Sequence, residues 1–322
     1  MVVQEGSDRM AAWKILVTDG LEENGLKILR EAAEVLDRNG ISADDLLKEI
    51  SGVDALIVRG RTKVTAQVLA AGTQLKVVGR AGVGVDNIDL KAARERKIMV
   101  VNSPYATTIA VAELAMALML AMAREIPRAD AAMKNGKWLK KELEGVELYR
   151  KTLGIIGFGR IGSSVARRAE AFDMKVLCCD PKITEDNQSL YDCRALPLDE
   201  LLAESDFISL HVPLNNSTRG MINREKFALM KNGVRIVDVS RGGVIDEQAL
   251  LEALESGKVA AAALDVFSIE PPGQTALVCH PRVLCTPHIG AQTVEAQQRA
   301  ADDIATEILA ALRGEELRWR VV

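Results

Sequence analysis

From Lys14 onward the chain alternates short apolar runs with polar-faced stretches of helical length. KILVTDG, ALIVRG, KVVGRAG and IMVVN are near-continuous runs of Val, Ile and Leu. Strands buried on both faces of a parallel sheet read this way, because crossover helices cover each face and leave no polar side to alternate. Four strands with three intervening helices are therefore predicted up to Asn102. SPYATT then supplies a turn and a helix start, and the longest apolar run follows, from Thr107 to Ala123. That run carries Glu113 and falls short of the roughly 20 residues a bilayer requires, so it reads as a buried helix.

A second series opens at Thr152 with TLGIIGFGRIG and continues through KVLCCD, FISLHVP, VRIVDVS, VAAAALDVF and RVLCTPH. Six strand candidates in order match the six parallel strands of a dinucleotide-binding sheet. The second half is thus the expected cofactor domain, and the first series forms the other. A last amphipathic helix, QTVEAQQRAADDIATEILAALRG, is stopped by Gly314; its periodicity does not say what it packs against. The fold class is α/β, with two Rossmann-like domains built on parallel sheets.

The glycine pattern gives the second series its chemistry. Gly157, Gly159 and Gly162 form GFGRIG between the strand TLGII and the helical SSVARRAEAF. The first glycine permits a tight turn, the second allows backbone to approach a pyrophosphate, and the third lets helix pack on strand. The helix N-terminus adds unpaired N–H groups and a positive dipole end. Asp180 closes the next strand, about 20 residues on, where a carboxylate accepts from ribose hydroxyls. A carboxylate there repels a ribose phosphate, so NAD is the expected cofactor. Lys182 leaves NADP as the lesser alternative, since a swung-in amine would tolerate the phosphate and a solvated one would not.

Composition narrows the classes. Across 322 residues, 48% are hydrophobic and 27% charged, enough for two ordinary cores, and the net charge of −4 without a basic block speaks against nucleic acid as partner. Five cysteines without a CxxC pair suggest neither a disulfide framework nor a metal site, and point to a reducing compartment. The opening MVVQEGSDRM lacks the apolar core of an export signal, and Met10 offers an alternative start. A cytoplasmic protein that binds no membrane is expected.

Three polar residues stand at the ends of later strands, where ligands of open α/β sheets bind: Arg241 in VSRGG, Glu270 in SIEPP and His288 in TPHIGA. Oxidising a secondary alcohol beside a carboxylate needs a cation for the carboxylate, a base for the hydroxyl proton and an acid to orient that base. Arginine, histidine and glutamate fill those needs. Singly, each has a plainer reading as a loop cation, a turn acid before two prolines and a hydrogen-bonded loop histidine. Their joint occurrence downstream of the phosphate loop favours the chemical one. His211 in SLHVP reads as a packing residue, and His280 as a surface turn.

VGRAGVGVDNID, GFGRIG, VSRGGVIDEQALLEAL, ALDVFSIEPP and TPHIGAQT, in this order from about Lys14 to Gly314, resemble the D-isomer-specific 2-hydroxyacid dehydrogenases. Within that family they look most like the branch acting on 3-phospho-D-glycerate. The resemblance implies an NAD-binding domain, residues 106–291, inserted into a flavodoxin-like substrate-binding domain of residues 12–105 plus 292–322, with 1–11 as a flexible extension. It implies a homodimer held by the inserted domains and a substrate bound between the domains. It also implies that Arg241 holds the substrate carboxylate, His288 exchanges the hydroxyl proton and Glu270 pairs with His288. Cofactor contacts would come from Arg160 and Ile161 at the pyrophosphate, Asp180 at the ribose, and Val83, Val212, Val239, Ser240, Arg241, His288, Gly290 and Ala291. Asp265 would lie by the nicotinamide amide. Members of that branch often carry a C-terminal regulatory domain, and this sequence reads as a short form.

For a phosphorylated 2-hydroxy acid the first half offers Arg59, Gly60, Arg80 and Gly82. VRGRTKVT departs from the VRSAT pattern of many members: Gly60 loses a hydroxyl, and Arg61 either replaces that contact or points to solvent. Lys140 and Lys141 either reach the active site or form a solvated basic helix face. The activity implied is oxidation of 3-phospho-D-glycerate to 3-phosphooxypyruvate, the first step of phosphorylated L-serine synthesis. A glyoxylate or hydroxypyruvate reductase is the enzymatic alternative. An NAD-sensing interaction protein resembling the C-terminal-binding-protein corepressors is the alternative of another class.

Overall fold

The computed structural model describes residues 13–184 and 193–322; the expected extension over 1–11 lies outside them. The described residues form two compact units, one within Met1–Thr107 and Gln292–Val322 and the other Thr108–Ala291.

The first unit is a five-stranded parallel sheet ordered β2-β1-β3-β4-β5, with β1 at Trp13–Val17, β2 at Ala33–Asp37, β3 at Ala55–Val58, β4 at Val77–Arg80 and β5 at Met99–Asn102. This is the flavodoxin-like strand order. All four residues of β3 are buried, as expected of a strand covered on both faces. Alternate residues serve opposite cores. Ile15, Val17 and Ile57 pack with Ile304 and Ile308 of the terminal helix, while Leu16, Leu56 and Val58 pack with Leu46 and Leu69.

That terminal helix, α11 at Val294–Arg313, is the one whose packing the periodicity left open. It is capped by Thr293, whose side chain accepts from Ala296 N, and stopped by Gly314 at φ 71°. It lies against α1 (Glu23–Arg30), β4 and β5. At Gly25 a Cβ would come within 2.7 Å of Ala301 O, so only glycine permits this approach of α1 to α11.

One strand of this unit escaped the sequence reading, which expected four. β2, AEVLD, carries a half-buried, charged pattern and sits at the sheet edge, where one side is unpaired and a continuous apolar run is not required. What reads as one polar-faced helix is α1, then β2, then α2 at Ala43–Glu49.

The second unit is a seven-stranded parallel sheet, β12-β11-β10-β9-β6-β7-β8. Its strands are β6 Thr152–Ile156, β7 Lys175–Cys179, β8 Arg194–Ala195, β9 Phe207–Leu210, β10 Val234–Asp238, β11 Val259–Leu264 and β12 Val283–Cys285. The order reverses between β6 and β9, the switch point of a doubly wound dinucleotide-binding sheet. Six strands were expected; β8 is the seventh, two residues long at an edge, too short to register as a pattern. The long apolar run is α5, Thr108–Ala123, packed on α7 (Arg160–Glu170), β10 and β11. Among the described residues no helix is long and apolar enough to cross a membrane.

Two further expectations are corrected. Cys178 and Cys193 are joined by a disulfide, a pairing that an odd cysteine set without short-range spacing did not signal. Lys140 and Lys141 are not on a helix: α6 spans Ile126–Lys134, and both lysines are exposed in the irregular segment beyond it.

Candidate functional site

The phosphate loop joins β6 to α7. Gly157 takes φ +90°, and a Cβ there would meet His211 O at 2.6 Å; one on Gly162 would meet Gly157 O at 2.1 Å. The strand-to-helix turn therefore closes only with glycine at both places. A Cβ on Gly159 would touch nothing within 4 Å, and this residue caps α7 without a side-chain hydrogen bond. The helix thus opens without a side-chain cap, its positive dipole end at the loop, and Arg160 and Ile161 form its first turn.

Asp180 follows β7, the neighbouring strand. Its Oδ2 accepts from Phe158 N at 2.8 Å and its Oδ1 from Lys182 N at 2.9 Å. Each carboxylate oxygen has two lone pairs, so acceptor capacity for ribose hydroxyls remains. A glycine cradle, an uncapped helix end and a carboxylate at the next strand tip fit a dinucleotide. Lys182 meets Asp180 through its backbone N–H.

His211, past the end of β9, supplies the carbonyl under Gly157. Its Nε2 lies 2.8 Å from Ser209 Oγ, and its Nδ1 is enclosed with no hydrogen-bond partner among the described residues. Burial lowers its pKa to about 3, so the ring is neutral at ordinary pH. Val212 follows it, half-buried.

The three polar residues sit beyond β10, β11 and β12. Arg241 follows Asp238–Val239–Ser240 at the end of β10 and donates from Nη1 to Ser240 O at 2.7 Å. Asp238 Oδ1 accepts from Ser240 N at 2.8 Å and Ser240 Oγ at 2.6 Å, fixing the turn that launches Arg241. Burial pushes the Asp238 carboxyl up to about 7 against the lowering effect of those bonds.

Glu270 and His288 are paired. His288 Nδ1 lies 2.8 Å from Glu270 Oε2, and Glu270 Oε1 accepts from Phe267 N at 3.1 Å. Facing a carboxylate, Nδ1 is the donor, which leaves the lone pair of a neutral imidazole on Nε2. His288 is held at φ 54°, the left-handed region that a non-glycine residue occupies at a cost.

Asp265 sustains that conformation. Its Oδ1 accepts from Thr286 Oγ1 at 2.6 Å and Ile289 N at 2.8 Å, and its Oδ2 from Gly290 N at 2.9 Å. The carboxylate is 1% exposed and brackets the histidine by its chain neighbours on both sides. Gly290 is buried beside it and Ala291 ends the unit.

In the first unit, Arg59 and Gly60 form the loop after β3. Arg59 is half-buried, with Nη2 donating to Gln292 Oε1 at 3.2 Å. Arg80 ends β4 with Nη1 donating to Ala81 O at 3.2 Å, lying over Gly82, where a Cβ would sit 1.4 Å from that nitrogen. Val83 O accepts from Asn102 Nδ2 at 2.7 Å. The Arg61 side chain is half exposed and folds back onto its own unit. It is an ion-pair partner of Asp19 at 3.1 Å and donates to Thr18 O at 2.6 Å and Ile41 O at 3.1 Å. Asp19 and Asn87, which organise this loop, were missed; Asp19 reads in sequence as an ordinary turn residue of TDG.

Residues 116–290 match the family described as D-isomer specific 2-hydroxyacid dehydrogenase, NAD binding domain. Over 94% of its length the chain is 51% identical to D-3-phosphoglycerate dehydrogenase of Methanocaldococcus jannaschii, of whose length it spans 58%. It is 50% identical over 93% of its length to hydroxypyruvate reductase of Thermotoga maritima, covering 98% of that protein. Among solved structures, a glyoxylate reductase from Paecilomyes thermophila superposes with a TM-score of 0.89 at 32% identity, over 97% of this chain and 99% of that one.

Proposed function

The chain belongs to the D-isomer specific 2-hydroxyacid dehydrogenases and carries their NAD-binding domain, and from that premise we propose that it oxidises 3-phospho-D-glycerate to 3-phosphooxypyruvate, the first step of phosphorylated L-serine synthesis. The observation that carries the chemistry is the 2.8 Å pairing of His288 Nδ1 with Glu270. It leaves Nε2 to take the C2 hydroxyl proton, and the imidazolium that results keeps its carboxylate partner. Arg241 grips the substrate carboxylate through its planar fork and so orients C2. NAD, when bound, accepts the hydride that leaves C2. Gly157, Gly159, Arg160, Ile161 and Gly162 would hold its pyrophosphate, and Asp180 its adenosine ribose, with Val83, Val212, Val239, Ser240, Gly290 and Ala291 completing the contacts.

The phosphate is assigned to Arg59 and Arg80, with Gly60 leaving open space at its backbone and Gly82 admitting the Arg80 guanidinium against its own. The name of the M. jannaschii relative supports this substrate. A second reading, a hydroxypyruvate reductase acting on the unphosphorylated acid, is favoured by the T. maritima relative, which this chain matches almost end to end. The initial rate of NADH formation with 3-phospho-D-glycerate, beside D-glycerate and with NADP in place of NAD, separates the two. Preference for the phosphorylated acid with NAD supports the first, and equal or faster turnover of D-glycerate moves the protein to the second.

The protein acts as a homodimer in this reading. Ile126 and Met133 on α6, and Trp138 and Tyr149 in the segment between α6 and β6, are exposed large apolar or aromatic side chains, the kind of surface that contact with a second copy would cover. Light scattering that returns the mass of one chain overturns it.

A further inference from the structure

Both ends of the Arg59–Thr62 loop are tied down by residues outside the reaction chemistry. Asp19, two positions past β1, accepts with Oδ2 from Arg59 N at 2.8 Å and Thr62 N at 3.0 Å, and with Oδ1 from Thr62 Oγ1 at 2.5 Å. From the other side Asn87 Nδ2 donates to Arg59 O at 3.0 Å and Thr62 O at 2.7 Å. The two terminal residues of a four-residue loop thus have both N–H and C=O engaged by side chains from two other loops. Arg61 closes the arrangement by folding its guanidinium back onto Asp19, Thr18 O and Ile41 O.

The Asp19 side chain is 4% exposed, and a buried carboxylate is tolerated only when its acceptor capacity is filled. Burial opposes its ionisation. The bonds from Thr62 and Arg59 and the Arg61 charge outweigh that and hold the carboxyl below its ordinary range. Between the pinned ends stands exposed Gly60, where a Cβ would meet nothing within 4 Å. The loop is therefore fixed at its feet and open at its crest.

We infer that Asp19, with Asn87 and Arg61, is a positioning residue that holds the Arg59–Gly60 edge in one conformation as a preformed receptor for the anionic end of the substrate. This rests on the substrate reading above, which assigns the phosphate to Arg59. A loop ordered before binding loses less freedom when the anion arrives, so the benefit falls on substrate affinity rather than on the chemical step. Arg61, in place of a direct substrate contact, neutralises the carboxylate on which the loop hangs.

The test compares Asp19→Asn, Arg61→Ala and Arg59→Ala in the whole enzyme, reading KM for 3-phospho-D-glycerate, kcat, and NADH affinity by fluorescence. Asparagine has one carbonyl oxygen to meet three donors. Asp19→Asn is expected to raise KM about 10-fold or more, with kcat changed less than about two-fold and NADH affinity unchanged. Arg61→Ala should move KM the same way by about three-fold. If Arg59→Ala raises KM while neither Asp19→Asn nor Arg61→Ala does, positioning is overturned and the substrate reading stands. If Arg59→Ala leaves KM unchanged, the loop takes no part in binding and both fall. A parallel loss of kcat and NADH affinity in Asp19→Asn marks a merely structural residue and overturns the inference. Should that variant fail to fold, Arg61→Ala and Asn87→Ala decide it by the same KM readout.

Discussion

The loop bearing His288 and the loop bearing Arg59 belong to different units, yet each hangs from one buried aspartate just past a strand. Asp265, after β11, takes two backbone N–H groups and the Thr286 hydroxyl; Asp19, after β1, takes two backbone N–H groups and the Thr62 hydroxyl. They differ in what is fixed. Asp265 brackets a residue held at positive φ, so its bonds offset backbone strain and aim one imidazole. Asp19 brackets an exposed glycine and carries Arg61 as a counter-charge. The lesson is that a parallel sheet, whose strands all end on one edge, makes the residue after a strand a natural anchor for the loop after a neighbouring strand. On the proposed function, the His288 loop needs that anchor for aim and the Arg59 loop needs it for order.

This contrast can be broken experimentally. The largest effect is expected at the aimed side chain itself: His288→Ala should lower turnover by about 10³-fold while NADH still binds, and near-normal turnover would remove the histidine from the mechanism. Asp265→Asn should follow with a fall in kcat of about 10²-fold, together with a stability loss of about 1–3 kcal/mol from backbone donors left without a carboxylate. An unchanged kcat in a destabilised protein would mean that the bracket serves folding alone. Asn87→Ala, which leaves the Asp19 bonds in place, should raise KM for 3-phospho-D-glycerate only about three-fold; an effect on kcat instead would erase the distinction between aim and order.

The smallest effect concerns a third aspartate, Asp238, which holds the turn before Arg241. With a folded pKa of about 7 against the ordinary 3.8, the folded chain retains a proton that the unfolded chain has released between those values. Stability attributable to this group falls as pH rises through that window, and the loss is complete above about 7. The melting temperature of the native protein should therefore drop between pH 5 and pH 8 by roughly 3 °C more than that of Asp238→Asn. Parallel pH profiles would show that Asp238 ionises without penalty.

The amino-acid sequence by itself determined the α/β class, the two parallel sheets and the phosphate loop, and it singled out Arg241, Glu270 and His288 as candidates, of which the structure pairs the last two. Each rests on local information: an uninterrupted apolar run marks a doubly covered strand, and glycine spacing marks a turn that admits no Cβ. Tertiary structure decided what depends on neighbours remote in the chain. Edge strands β2 and β8 lack a buried pattern because one of their sides pairs with nothing, and the Cys178–Cys193 bond joins partners with no signature spacing. Asp19 looks in sequence like any acid in a turn, and nothing local marks Asp265, singled out only through the resemblance, as the anchor of the His288 loop. Their roles arise from donors 40 and 24 positions away, brought alongside only when the sheets assemble, and the ion pair of Arg61 with Asp19 likewise joins partners remote in the chain.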